Sequence, residues 1–394
     1  MLSASTIAHV KATIPVLEQA GPAITAHFYQ RMFSHNPELK DIFNLTNQQT
    51  GRQQVALFEA IAAYAKHIET PEVLAGAVER IAQKHTSFVV KPEHYAIVGG
   101  HLLATLQELA PEVFDEATTA AWAEAYHFLA GIFIDREGTL YEVRRQAQGG
   151  WAGERRFRLV AKTPESERVT SFVWEPVDGG AVLSFEPGQY IGIKVHPAGS
   201  DYNEIRQYSL SDKSDGRRYR ISVKREGNGE QQGLVSNHLH DQVQVGDEVA
   251  LIPPAGDFFL DQESQSPVVL VSAGVGLTPM MAMLETLCAG NSPRPVHFLH
   301  ACENAAQHSF KDRVVELAGR HGVNTQVWYR EGEALQHSGL MDIAKVKATL
   351  PIADGDFYLC GPMPFMASAK SQLLEAGVDE GRIHYEAFGP HVAL

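Results

Sequence analysis

The sequence predicts a multidomain chain of three parts in order: an all-α block, an antiparallel β-barrel, and an α/β block built on a parallel sheet. Three observations carry this. Apolar residues recur at steps of three and four up to about residue 146, short β runs parted by glycine turns continue to about 261, and strands then alternate with helices. A length of 394 residues suits two or three domains.

In the first block, Ile7, Val10, Ile14 and Leu17 predict one amphipathic helix. The same steps recur at Gln53, Leu57, Ile61 and Tyr64, and at Leu74, Val78, Ile81 and His85. They continue at Tyr95, Val98, Leu102, Leu106 and Leu109, then at Trp122, Tyr126, Leu129, Phe133 and Glu137. Pro22, Pro37, Pro71, Pro92 and Pro111 stand where helices begin or stop. The block is assigned residues 1–146, and Gly149-Gly150 in QAQGGWAG marks a hinge.

Residues 151–261 are assigned to the barrel. Its runs are FRLVAKT, VTSFVWEPV, YIGIKVH, RQYSLSD, YRISVKR and DEVALIPP, separated by turns such as Asp178-Gly179-Gly180 and Asp215-Gly216. Residues 262–394 form the α/β block. PVVLVSA precedes TPMMAMLETLC, VHFLHA precedes KDRVVELAGR, and DFYLCG precedes a helix from about Pro364 to Ala376.

Composition removes several classes of function. Lys+Arg is 33 and Asp+Glu is 47, a net charge of −14 with no basic stripe, so nucleic acid is not an expected partner. Cys288, Cys302 and Cys360 show no C-x-x-C spacing, which predicts free thiols in a reducing compartment. No signal peptide and no apolar run of about 20 residues is read, so the expected location is cytoplasmic.

The sharpest local signal is Ala273-Gly274-Val275-Gly276-Leu277-Thr278-Pro279, between an apolar strand and a helix. Its glycines let backbone approach a diphosphate at the helix N-terminus. Alone such a turn is weak evidence, but Cys360-Gly361-Pro362 after a second apolar strand would complete one crevice. In the barrel, Arg206-Gln207-Tyr208-Ser209 offers a phosphate partner and a ring face, although a surface arginine and a core tyrosine read equally well. Gly233-Leu234-Val235-Ser236 opens a short helix whose amides suit a diphosphate, with Ser236 nearby. Together these suggest a flavin beside a nicotinamide. Residues 155–390 resemble the ferredoxin–NADP reductase superfamily in Pro187-Gly-Gln-Tyr190, RQYS, the Gly233 segment, AGVGLTP, CGP and the terminal Phe388.

In the helical block, His85, Tyr95 and Glu137 each fall on an apolar stripe, where a polar side chain needs a partner. A His–Tyr–Glu network would make the imidazole a stronger donor to a metal. Tyr29 and Gln53 offer hydrogen-bond donors, while Phe43 and Leu57 offer a wall, as a dry dioxygen pocket requires. On residues alone, ordinary core packing stays open. Residues 1–146 also resemble a bacterial globin, through HFYQRMFSHNPELKDIFN and KHTSF, and the whole chain, with HYEAFGP, resembles the flavohaemoglobin family.

That resemblance implies a globin haem domain, a FAD-binding β-barrel and a NAD(P)-binding parallel-sheet domain. The implied cofactors are haem b, FAD and NADH or NADPH. It implies His85 as proximal ligand of the haem iron, Tyr95 and Glu137 as its charge relay, and Tyr29 and Gln53 on the distal side. Lys84 and Glu386 are implied to tune the haem and flavin potentials. The implied activity is oxidation of nitric oxide by O2 to nitrate, by a monomer needing no obligatory protein partner, with a lipid or hydrophobic inhibitor as a further occupant of the distal pocket. Two alternatives are an oxygen carrier or sensor with a built-in reductase, and a reductase for other acceptors. After VHFLHA comes Cys302-Glu303-Asn304, where Glu303 would repel a 2′-phosphate and no adjoining arginine attracts one, so NADH is expected over NADPH.

Overall fold

The computed structural model describes residues 2–43, 51–228, 231–290, 292–334 and 336–389. The chain divides into two compact units, one comprising Met1–Gln146, Trp151–Gly153 and Gly199–Ile205, the other Ala147–Gly150, Glu154–Ala198 and Arg206–Leu394. The barrel and the parallel sheet, read as separate blocks in the sequence, therefore share one compact unit.

The first unit is helical: α1 (Ala4–Ala12), α2 (Ile14–Ala20), α3 (Ala23–His35), α4 (Arg52–Lys66), α5 (Ala75–Thr86), α6 (Pro92–Leu109) and α7 (Glu116–Gln146). The single helix expected from Ile7 to Leu17 is two, α1 and α2, with the break at Thr13. Pro15 causes it, because proline cannot donate to a carbonyl one turn back and its ring opposes that turn. The Thr13 hydroxyl instead donates to the Val10 carbonyl at 2.7 Å. Elsewhere the prolines act as expected: Pro22 caps α3, Pro92 opens α6, and Pro37 and Pro71 open short 3-10 turns. Val10, Leu17, Phe28, Met32, Leu102, Leu106 and Trp122 meet in one buried cluster, so the predicted stripes do converge.

The second unit begins with β1 (Arg155–Pro164), β2 (Val169–Pro176), β3 (Tyr190–Val195), β4 (Glu204–Ser209) and β5 (Tyr219–Lys224). A small hairpin of β6 (Gly227–Asn228) and β7 (Gln231–Gln232) leads to α8 (Leu234–Asp241) and β8 (Glu248–Ala255). The sheet order is β4-β3-β8-β1-β2-β5. Leu210, directly after β4, bridges antiparallel to Ile221 of β5 and brings the two edges together. Register shifts in β1 between Leu159 and Ala161, and in β3 between Tyr190 and Gly192, supply the curvature that closure needs.

The remainder is a parallel sheet of β9 (Val268–Ala273), β10 (Val296–Cys302), β11 (Asn324–Tyr329), β12 (His337–Ser338), β13 (Asp356–Cys360) and β14 (Ile383–Glu386), ordered β12-β11-β10-β9-β13-β14. Helices α9 (Leu277–Ala289), α10 (Lys311–His321) and α11 (Met363–Ala376) lie between its strands in sequence. Leu270 and Phe298 pack into one buried cluster and Val271, Leu299 and Phe357 into another, as a sheet covered on both faces requires. The chain steps outward from β9 to β12, then returns to the other side of β9 for β13. The carboxyl ends of β9 and β13 therefore mark the point where strand order reverses, the usual place for a ligand crevice. Among the described residues, no helix is long and apolar enough to cross a membrane.

Candidate active site

In the helical unit, His85 lies in the last turn of α5, Tyr95 in the first turns of α6, and Glu137 in the middle of α7. The fold brings the three together. His85 Nδ1 is 2.8 Å from Glu137 Oε1 and 2.9 Å from the Tyr95 hydroxyl, and Tyr95 donates to the same Oε1 at 2.5 Å. Glu137 is 3% exposed, so its carboxylate depends on these donors rather than on water. Burial, and then the Glu137 charge, push the Tyr95 phenol well above its ordinary pKa, so it stays a donor. Phe133 packs against both the His85 and the Tyr95 rings, with centroids 5.7 and 6.2 Å away.

A carboxylate facing Nδ1 places the ring hydrogen there and leaves the Nε2 lone pair for a metal. The histidine keeps a third of its side-chain surface open, unlike the buried Glu137 beside it. The residues present therefore fit a histidine that would hold haem iron through Nε2. Tyr29, Phe43 and Leu57 belong to one apolar cluster with Phe33, and the Tyr29 ring centroid lies 5.9 Å from Phe33 and 6.0 Å from Phe43. Gln53 sits one turn before Leu57 on α4, half-buried. Thr25 ties α3 to α4 by donating to the Gln54 carbonyl at 2.7 Å. Lys84 adjoins His85 on α5, and Glu386 ends β14.

In the second unit, Arg206, Gln207, Tyr208 and Ser209 lie on β4, and Tyr190 opens β3 beside it. Among the described residues, Gln207 Nε2 is buried without a hydrogen-bond partner, as expected for a donor reserved for a ligand. Burial raises the Tyr208 phenol above its ordinary range. Gly233 caps α8, and Ser236 Oγ accepts from Glu226 N–H and donates to the Gly233 carbonyl, both at 3.2 Å. The Ser236 hydroxyl thus shapes the turn at the helix N-terminus, where backbone amides suit an anion.

Gly274, Val275 and Gly276 form a 3-10 turn between β9 and α9, and Thr278 donates to the Val275 carbonyl at 3.0 Å, holding Leu277 buried within the first turn. The two glycine turns touch. A Cβ on Gly276 would lie 2.3 Å from the Cys360 carbonyl oxygen, and one on Gly361 would lie 2.8 Å from the Phe365 ring. Cys360 is fully buried, and burial holds its thiol well above its ordinary pKa, as a neutral group. Pro362 caps α11, and Phe388 is exposed two residues past the end of β14.

Two groups were not found from the sequence. Arg330, just beyond β11, stands 3.7 Å from the Glu303 carboxylate. The expected absence of an arginine there is corrected, since pairing of β10 with β11 supplies one from a distant segment. Lys162 on β1 donates to the carbonyls of Leu239, His240 and Val243 at 3.3, 2.7 and 2.7 Å, gripping the C-terminal end of α8. Nothing near Lys162 in the sequence signals this.

Three family models match in chain order: Globin over residues 26–133, Oxidoreductase FAD-binding domain over 156–260, and Oxidoreductase NAD-binding domain over 270–371. A flavohemoprotein of Vibrio cholerae is 60% identical over the full length of both chains. The structure of a flavohemoglobin from Malassezia yamatoensis, with bound FAD and heme, matches 98% of this chain and 100% of that one at 28% identity and a TM-score of 0.88. The FAD/NAD binding domain of a Vibrio cholerae nitric oxide dioxygenase matches 60% of this chain and 99% of its own at 55% identity and a TM-score of 0.58. With a helical unit carrying a hydrogen-bonded His–Tyr–Glu triad, followed by a barrel and a parallel sheet with two touching glycine turns, the chain belongs to the flavohemoproteins.

Proposed function

We propose that the chain oxidises nitric oxide with dioxygen to nitrate, using electrons from NAD(P)H. Each hydride carries two electrons, so two NO and two O2 are consumed per nicotinamide. The observation that carries this reading is the His85–Tyr95–Glu137 triad in a chain that also holds the two nucleotide-type domains. When bound, FAD supplies conversion of a hydride into single electrons, and haem b supplies the iron at which the two gases react.

His85 would hold that iron through Nε2, while Glu137 keeps the Nδ1 hydrogen and Tyr95 steadies the carboxylate, making the imidazole a stronger donor. Tyr29 and Gln53 would supply donors to a bound gas, with Phe43 and Leu57 as an apolar wall against water. Arg206 and the N-terminus of α8, shaped by Ser236, would take the FAD diphosphate. Tyr190, Gln207, Tyr208, Ser209 and Phe388 would frame the flavin. Gly274–Thr278 and Cys360–Pro362 would hold the nicotinamide nucleotide. Lys84 and Glu386 are assigned to tuning the two potentials. Glu303 favours NADH, and its carboxylate partly neutralises Arg330.

The working boundaries are 1–146, 151–261 and 262–394. A cytoplasmic monomer is also proposed, supported by three free buried cysteines, as a reducing compartment maintains. The apolar cluster around Tyr29 suits a lipid or hydrophobic inhibitor. The test is anaerobic addition of NADH to the purified protein, then air and nitric oxide. Flavin bleaching, haem reduction and nitrate at two per NADH are expected. NADH consumption indifferent to NO, with no nitrate, would replace this reading with a carrier, a sensor or a reductase for other acceptors.

A further inference from the structure

The interface of α5 and α7 carries a second polar array beside the triad. Glu79, Gln83 and Thr86 follow at steps of four and three along α5, so they share a face. Arg136 Nε and Nη2 donate to the two carboxylate oxygens of Glu79 at 2.6 and 2.9 Å. Gln83 Nε2 donates to Glu79 Oε1 at 2.8 Å, and Gln83 Oε1 accepts from Arg144 Nη2 at 2.5 Å. Arg144 Nη1 donates to Thr86 Oγ1 at 2.6 Å, and that hydroxyl donates to the Gln83 carbonyl at 2.8 Å. The array runs unbroken from Arg136 to Thr86.

Arg144 is the unusual member. It is 8% exposed although it carries a full charge in a helix–helix interface. Its planar fork takes two acceptors at once, which fixes their spacing in a way a lysine could not. Those acceptors belong to Gln83 and Thr86, on either side of His85. On α7, Arg144 lies seven residues beyond Glu137, two turns along nearly the same face.

We propose that Arg144 is a positioning residue for the proximal site: by gripping Gln83 and Thr86 it sets the rise and rotation of the last turn of α5 along α7, and so holds His85 Nδ1 against Glu137. A slip of one residue would move α5 by about 1.5 Å and turn it by about 100°. A shift of only about 0.5 Å would already stretch the 2.8 Å bond between His85 and Glu137 beyond normal length. The Glu79–Arg136 pair anchors the other end of the same helix, so loosening Arg144 frees the turn that carries the histidine while α5 stays docked.

The inference rests on His85 being the iron ligand. The test uses the full-length ferrous holoprotein and the iron–imidazole stretching band in resonance Raman spectra, which reports donor strength rather than activity. Arg144→Met should retain haem and move the band to lower frequency, because the imidazole loses part of its hydrogen bond to Glu137. The double variant Gln83→Ala/Thr86→Val keeps the Arg144 charge and should give a similar shift, while Arg144→Lys should recover part of it. If Arg144→Met does not fold, the double variant decides alone. A lowered melting temperature with an unmoved band, or a shift seen only when the charge is removed, would overturn the positioning role. A His85→Ala variant that keeps the band would instead overturn the ligand assignment itself.

Discussion

Replacing Gly276 by alanine probes the crevice at the reversal of strand order. The added Cβ would meet the Cys360 carbonyl oxygen at 2.3 Å, its carbon at 2.5 Å and the Gly361 nitrogen at 2.6 Å. All three are backbone atoms, so no side chain can turn aside, and the two turns must part by about 1 Å to reach ordinary contact. Gly276 has φ −62° and ψ −7°, which alanine adopts freely, so the cost is steric. Overpacking of this kind costs about 1–3 kcal/mol, offset by about 0.4–1 kcal/mol from a stiffer unfolded chain. A net loss of about 1–2 kcal/mol is expected, with NADH bound about tenfold more weakly, equivalent to about 1.4 kcal/mol. Urea unfolding followed through flavin release reads the first quantity. Flavin reduction against NADH concentration in stopped flow reads the second, and the haem absorption band serves as an internal control. Unchanged stability together with unchanged NADH affinity would refute the placement of the nucleotide between these turns.

Three further outcomes follow from other positions. Val89, with φ +58°, is a β-branched residue in the left-handed region, held by Val90 N–H on the His85 carbonyl and Val89 N–H on Thr86. Val89→Gly should stabilise the helical unit by about 1 kcal/mol, and a lower melting temperature would contradict the strain. Burial pushes His300 down to about 3 and His308 down to about 4. Both stay neutral in the folded chain while the unfolded chain takes up protons near pH 6.5, so their contribution is full above that pH and is lost as pH falls toward 4, by about 2 kcal/mol each at pH 5. Equal unfolding midpoints in urea at pH 7 and pH 5 would refute this. Lys162→Met removes three hydrogen bonds from the end of α8 and should weaken FAD retention by about five- to thirtyfold, for a loss of about 1–2 kcal/mol. Unaltered flavin dissociation would show that α8 holds its place without Lys162.

The parts legible in the sequence are those carried by local periodicity or by a turn. The stripe from Leu74 to His85, the β runs and AGVGLTP all read correctly because each states its own geometry over a few residues. The His–Tyr–Glu triad was legible because a polar side chain on an apolar stripe demands a partner, and only a few stripes carried one. The apolar steps continue across Pro15 and hide the break, though the missing N–H ends the helix all the same. Strands β11 and β14 carry no such signal, NTQVWY being half polar and IHYE too short to show a period. Arg330, Lys162 and Arg144 were beyond reach for a different reason. Each acts on a segment far away in sequence, so its role exists only once β10 and β11 pair, α8 folds back on β1, and α5 lies along α7.

The sheet order β4-β3-β8-β1-β2-β5 also has a consequence for synthesis on the ribosome. β8, which separates β3 from β1, is the last of the barrel strands to be made. Until residues 248–255 have left the exit tunnel, β1 and β3 each present an open edge that can pair with a neighbouring nascent chain. The helices do not wait for it: all seven described are complete by Gln146, so α1 can close against α7 before any barrel strand has been made. Slow translation after residue 195 would therefore lengthen the exposure of those edges while leaving the helices already folded. Aggregation during overproduction should originate in the barrel, and lowering the synthesis rate alone should not cure it.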